Sequence, residues 1–260
     1  MLDLFLIELR RTFALTIRYP ANFVSSMVIG TLSFYGLFMG AQYLSGQEAF
    51  GTNLDAMVVS WSAWVLATKG LNKPAVSVQT EADTGVLESV FLSRHPTWLT
   101  FLVRALTESV IDIVFIVVMV ATLVWLTGSS VAFPPTIALP VVLLMLAAIG
   151  FGLTVASLAL QVKRIGSALP MLQLLILFLM FTPFETWTSG MKSGLSAIAM
   201  WLPMVPSVIM LRQEMAFGGT FDPILAVQAL LNGIGWAAFG VLAFAAISRR
   251  VRTKGLLAGY

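Results

Sequence analysis

Arg104, Glu108 and Asp112 stand four residues apart in a stretch that is otherwise apolar, so on a helix all three share one face. Ionisable side chains inside a bilayer are costly and normally face protein or water. Two chemistries suit such a stripe. One is a proton-coupled or substrate-contacting site built on Glu108 and Asp112. The other is a structural ion pair of Arg104 with Glu108, with Asp112 protonated or paired to a cation such as Arg18 or Lys163; this simpler arrangement is the one expected. A second group of acids, Glu81, Asp83 and Glu88, lies in the polar stretch 76–96. Without a single Cys, thiolate metal sites, disulfides and cysteine nucleophiles are excluded. His95 is the sole histidine and is expected to be solvated beside Pro96 rather than to act as a ligand. A phosphate-cradling loop needs Gly-x-x-x-x-Gly-Lys-[Ser/Thr], and the nearest approach, Gly190-Met191-Lys192-Ser193, lacks the Gly next to Lys. Any ATP used with this chain is therefore expected on a separate polypeptide.

The elements that position these residues follow from composition. The chain has 260 residues, 58% apolar and 10% charged, against about 45–50% and about 25% in soluble domains. The mean hydropathy is +0.93. The apolar residues come in long runs rather than alternating, which indicates spanning helices and not a β-barrel. The fold class expected is all-α: a single transmembrane domain, 1–260, with six spans near 22–44, 54–71, 98–126, 137–161, 166–184 and 224–247. Little room is left in these residues for a soluble enzyme domain. Cytoplasmic loops retain Lys and Arg. With an inner N-terminus, the inner segments hold Arg10, Arg11, Arg18, Lys69, Lys73, Arg94, Arg104, Lys163, Arg164, Arg249, Arg250, Arg252 and Lys254, leaving only Lys192 and Arg212 of the 15 basic residues outside. Both termini are thus expected in the cytoplasm. The first span is too long for a signal-peptide core and is expected to be retained.

Three segments outside the spans carry pattern. In 1–21, Leu2, Phe5, Leu6, Leu9, Phe13 and Ile17 fall on one arc, with Arg11 and Arg18 opposite and Arg10 on the flank. This predicts an amphipathic helix lying in the membrane interface and ended by Pro20, in contact with lipid. In 76–96, Val86, Leu87, Val90 and Phe91 recur at helical spacing, with Glu88 on another face and Pro96 closing the segment. A helix so short needs a protein groove for its stripe, and a cytoplasmic partner is expected to supply it. In 185–222, Leu195, Ile198, Trp201, Val205 and Val208 fit two short interfacial or re-entrant helices broken at Pro203 and Pro206, forming an external hairpin. Gly36-x-x-x-Gly40, Ala148-x-x-x-Gly152-x-x-x-Ala156 and Ala229-x-x-x-Gly233-x-x-x-Ala237 predict close helix packing. Phe34, Tyr35, Phe38 and Phe178 would suit an apolar cargo.

The run Glu81-x-x-x-Gly85-Val86-Leu87-Glu88, followed by Ser93 and Pro96, resembles the cytoplasmic signature of ABC type-2 transporter membrane subunits, usually Glu-x-x-x-Gly-Thr-Leu-Glu and then a small polar residue and Pro. Val86 replaces the common Thr, and Asp83 stands where a basic residue is frequent. The resemblance extends along the chain through the in-plane N-terminal helix, six spans and the segment between the fifth and sixth spans. It implies that Glu81 to Phe91 form a coupling helix docking on a cytoplasmic ABC ATPase subunit, with Gly85, Leu87 and Glu88 mapping most directly. It further implies a permease that is not itself an enzyme and carries no cofactor, with ATP and Mg on the partner subunit. Two permease subunits, identical or different, would pair with the first and fifth spans near the twofold axis. The function implied is export of a drug, lipid or lipid-linked glycan across the cell membrane, with no nucleic-acid partner. The competing expectation is an ion-gradient-driven secondary transporter or channel using Glu108 and Asp112.

Overall fold

A computed structural model describes residues 2–45, 54–93, 95–162 and 166–253. Arg94, Lys163, Arg164 and Lys254, four of the cations used above for orientation, lie outside the described residues. Among the described residues the regular structure is entirely helical. Helix α1 (Leu2–Arg18) ends where expected, with Tyr19 N–H donating to the Leu15 carbonyl at 3.0 Å and Pro20 opening α2 (Pro20–Ser45). Helix α3 (Leu54–Asp83) runs twelve residues past the expected end of its span at 71, straight through the buried Pro74. Polarity does not stop a helix that is enclosed by protein. Its stop is Gly85, whose φ of +72° is the left-handed conformation that Gly adopts without strain.

A five-residue helix, α4 (Leu87–Phe91), leads to α5 (Thr97–Thr127), which Gly128 closes with φ +69° and its N–H on the Val124 carbonyl. A single turn at Pro135–Ile137 opens α6 (Ala138–Val162), and α7 (Ala168–Phe181) follows. The segment after α7 forms α8 (Gly190–Ala199) and α9 (Val205–Met215), and the chain returns through α10 (Pro223–Thr253). Asp222 caps α10 by accepting from Ile224 N–H at 2.9 Å and from Leu225 N–H at 3.3 Å.

Four helical segments are long and apolar enough to cross a membrane: Pro20–Phe38, Thr97–Thr127, Pro135–Gln161 and Pro223–Thr253. Two of the six expected spans fall short of that standard. Helix α3 carries Asp55, Lys69, Lys73, Glu81 and Asp83, and α7 has 14 residues, a length of about 21 Å. Val114, Val117, Leu174, Phe178, Leu231 and Leu242 leave the flanks of the bundle exposed and apolar, a surface that suits acyl chains rather than water. The protein is accordingly membrane-embedded.

Helix α6 is the centre of the bundle, with α3 along one side and α10 along the other. Small residues make both approaches possible. A Cβ on Gly152 would fall 2.5 Å from the Leu71 carbonyl of α3, and one on Gly150 would overlap the Trp236 carbonyl of α10, whose own Gly240 abuts the Gly150 carbonyl. The expected stripes on α6 and α10 therefore pack, although the tightest contact uses Gly150 and Gly240 beside them. The Gly36 and Gly40 stripe meets nothing within 4 Å. Phe34 and Phe38 of α2 pack on Trp61 at 5.9 and 6.4 Å between ring centroids. Phe34 is fully buried, so of the aromatics suited to cargo it is closed off, while Phe178 is exposed.

The two short helices expected in 185–222 are present as α8 and α9. Pro203 lies in their break, whereas Pro206 sits inside the first turn of α9, where a missing N–H costs nothing. Asn232 of α10 pins the break, accepting from Met204 N–H at 3.1 Å and donating to the carbonyls of Met200 and Leu202. The Trp201 ring stays exposed, as an interfacial aromatic would.

Candidate functional site

The charged residues gather where α1, α3 and α5 meet, at the end of the bundle that carries α4. Lys69, Lys73, Ser77 and Glu81 recur every four residues on α3, and the antiparallel α5 answers with Asp112, Glu108 and Arg104. Lys73 Nζ lies 2.5 Å from Asp112 Oδ2 and 3.6 Å from Glu108 Oε2. Lys69 Nζ is 3.4 Å from Asp112 Oδ1 and 4.1 Å from the centre of the Phe115 ring. A turn further along, Arg104 donates to Glu81 and, at 3.0 Å, to Ser77 Oγ. Its Nε is 3.7 Å from Glu8 Oε1 of α1.

The expected Arg104–Glu108 pair is thus corrected. Arg104 is held by Glu81 and Glu8, Glu108 faces Lys73, and Asp112 takes Lys69 and Lys73 rather than Arg18, while the other cation expected there, Lys163, lies outside the described residues. The cause is the unbroken α3, which carries its cations and Glu81 alongside α5. Arg18 instead stacks beside Tyr19, 5.9 Å from the ring centre. Signs alternate so that each buried charge meets its opposite, which suits a structural lock between three helices better than a free acid.

Glu8 is the contact through which α1 joins this lock, and it was not legible as such in the sequence. It is buried, while Leu6, Phe13 and Ile17 on the opposite side are exposed. Helix α1 therefore docks by a polar face and leaves its apolar arc free for acyl chains, as an interfacial helix requires. Arg10, Arg11 and Arg18 are exposed. Arg11 Nη1 reaches Glu8 Oε2 at 3.1 Å, with 54% of its side chain exposed. Exposed pairs contribute little, so Arg11→Gln should change the thermal midpoint by no more than the equivalent of about 0.5 kcal/mol, checked by a fluorescence melt.

The segment 81–91 does not form one helix. Glu81 belongs to α3 and points inward, Asp83 and Gly85 make the turn, and the helix itself is Leu87–Phe91. Of the stripe expected to need a partner's groove, Leu87 and Phe91 are already buried in this chain. Arg252 of α10 donates to the Phe91 carbonyl at 2.7 Å and lies over its ring at 5.2 Å. Val86, Glu88, Ser89 and the nearly fully exposed Leu92 are among the residues that remain open to a partner.

A second buried charge lies at the opposite end and escaped the sequence reading. Arg212 of α9, 3% exposed, donates to Glu185 at 2.7 Å and to the carbonyls of Met180 and Thr182 at 2.9 and 3.1 Å, satisfying the last turn of α7. Burial pushes the guanidinium down from its ordinary pKa, and the Glu185 carboxylate opposes that shift. Glu214, also buried, accepts from Thr136 Oγ1 at 2.6 Å. The signal for Arg212 in the sequence is the largely apolar run 205–211 that it directly follows. Among the described residues, no cluster of three or more His, Asp or Glu side chains is arranged to hold a metal ion. The chain matches no family model, no curated protein and no solved structure.

Proposed function

We propose that this chain is the membrane-spanning permease subunit of an ATP-driven ABC type-2 transporter, exporting a drug, lipid or lipid-linked glycan as a pair of such subunits with two cytoplasmic ATPase subunits. The observation that carries the reading is the convergence at one end of the bundle of three features: an in-plane α1, a short α4 with Val86, Glu88 and Leu92 exposed, and ion pairs joining both neighbourhoods to α3 and α5. A push on α4 reaches α3 through the Gly85 turn and α10 through Arg252, and α1 is tied to α5 through Glu8 and Arg104. Rigid coupling of this kind is what converts partner closure into helix movement.

In this reading α3 and α7 complete six crossings. Helix α3 is enclosed by α5, α6 and α7, so its charges meet protein rather than acyl chains, and hydropathy undervalues it. The short α7 is extended by the segment leading into α8 and α9, which act as a re-entrant hairpin at the external end. The concentration of Lys and Arg at the α4 end supports both termini being cytoplasmic in the cell membrane. The open Gly36 and Gly40 face on α2 offers a surface for the second permease subunit. The gradient-driven alternative needs free Glu108 and Asp112, and both are engaged by Lys73.

The test is copurification of a cytoplasmic ATPase with the chain, followed by ATP-dependent transport in proteoliposomes. Glu88→Lys should abolish stimulation of the ATPase while leaving the melting profile unchanged, because Glu88 is exposed. Glu81→Gln should instead lower the thermal midpoint, because it strips a buried partner from Arg104. Absence of any copurifying ATPase would remove the ATP-driven reading.

A further inference from the structure

A cavity of about 320 Å³ lies between the start of α5 and the end of α10. Arg249, Arg252, His95, Ser93, Thr97 and Trp98 line it, and none of the described lining residues is acidic. Among the described residues, neither Arg249 nor Arg252 has a carboxylate within ion-pair distance. Arg252 spends one nitrogen on the Phe91 carbonyl. Thr97 is 3% exposed, and its hydroxyl has no hydrogen-bond partner among the described residues. Thr97 and Trp98, the first two residues of α5, belong to this lining; the Leu99 and Thr100 N–H groups are taken by the Pro96 carbonyl, but no side chain caps the two that precede them. Two guanidinium groups, the hydroxyl of a buried threonine and a helix start without a side-chain cap line one volume, which is the chemistry of a phosphate site.

We infer that this cavity binds the phosphate of an anionic phospholipid. The position favours a lipid over a soluble anion. Half-buried Trp98 is part of the lining, and indoles in membrane proteins gather at the headgroup level. Leu242, two turns before Arg249 on the same side of α10, is exposed and gives an acyl chain an apolar track leading to the charge. Basic cavities between spanning helices at the positively charged face of a bundle recognise such headgroups. Because Arg252 also holds Phe91, an occupied site would fix α4 against α10, so the lipid would set how firmly the exposed α4 surface is presented. The inference rests on membrane embedding but not on the ATPase partner.

The test uses the full chain in nanodiscs of phosphatidylcholine, with and without a minor fraction of spin-labelled phosphatidylglycerol. It is read at about 0.5 M salt, where the Debye length is about 4 Å and diffuse surface attraction is screened. The wild type should retain a preference for phosphatidylglycerol. Arg249→Gln should weaken it at least about tenfold, the loss of one charge-assisted contact. Thr97→Val should weaken it by a smaller factor. Arg250→Gln removes the same charge one residue along, outside the lining, and should leave the preference intact. Equal losses in the two arginine variants, no preference in the wild type, or displacement of the lipid by inorganic phosphate or by an acidic peptide would overturn the inference. Failure to enter phosphatidylcholine nanodiscs at all would instead overturn the membrane reading.

Discussion

Gly150→Leu should prevent α6 and α10 from assembling, with loss of a monodisperse detergent-solubilised species. The two backbones touch at this point: a Cβ on Gly150 meets the Trp236 carbonyl and, at 2.5 Å, the Ala237 backbone, and the reciprocal Gly240 meets the Gly150 carbonyl. These neighbours are backbone, so no rotamer change relieves the overlap and the helices must separate. In a bilayer, separated helices exchange protein contacts for equally apolar lipid, and nothing restores the lost packing. The expected cost is about 3 kcal/mol or more, the upper range for overpacking of a well-filled core. Fluorescence-detected size exclusion with a heating series reads it directly. Gly235→Leu is the matched control on α10 itself, because that exposed position meets nothing within 4 Å, and it should elute and melt as the wild type does. A normal profile for Gly150→Leu would mean that α6 and α10 do not approach as described.

The contrast between Gly36 and Gly150 also marks how far the sequence could be read. Spacing identified small-residue stripes on α6 and α10 because close approach needs them every turn, but it could not say which small residue meets a backbone, and Gly150 was outside the stripe. The apolar arc of α1 was legible because its environment, lipid on one side and polar groups on the other, is reflected in helical periodicity. Helix α3 was misread beyond residue 71 for the converse reason. Hydropathy ranks a residue against lipid or water, whereas the Lys69, Lys73, Ser77 and Glu81 stripe faces α5. The every-fourth spacing of those four was present in the sequence and pairs with Asp112, Glu108 and Arg104 only once α3 and α5 are set antiparallel. Leu87 and Phe91 were legible as a buried stripe, while the surface that buries them was a matter of tertiary contact. Arg212 was hidden because its partners, two α7 carbonyls and Glu185, lie 27 to 32 residues away.

Lys73→Met should destabilise the protein by about 3 kcal/mol, since removing one member of a buried ion pair leaves the other charge uncompensated. Lys73 and Asp112 have side chains 15% and 9% exposed, and Lys73 also faces Glu108, so its loss leaves Asp112 with Lys69 and Glu108 with no ion-pair contact among the described residues. Asp112→Asn should cost less, because Glu108 still answers Lys73 and the amide keeps the shape of the site. The double variant should recover much of the Lys73→Met loss, giving a coupling energy above about 1 kcal/mol, as expected for groups in direct contact. Thermal inactivation midpoints of the four proteins close the cycle, and strict additivity would show that the pair does not act as a unit. The same stable double variant separates the two roles of the stripe. If the charges lock α3 to α5, ATP-dependent transport should persist wherever the fold does. If Asp112 carries a proton or touches cargo, transport should vanish in Asp112→Asn and in the double variant while their melting profiles stay close to that of the wild type. That outcome would move Asp112 from the scaffold to the translocation pathway.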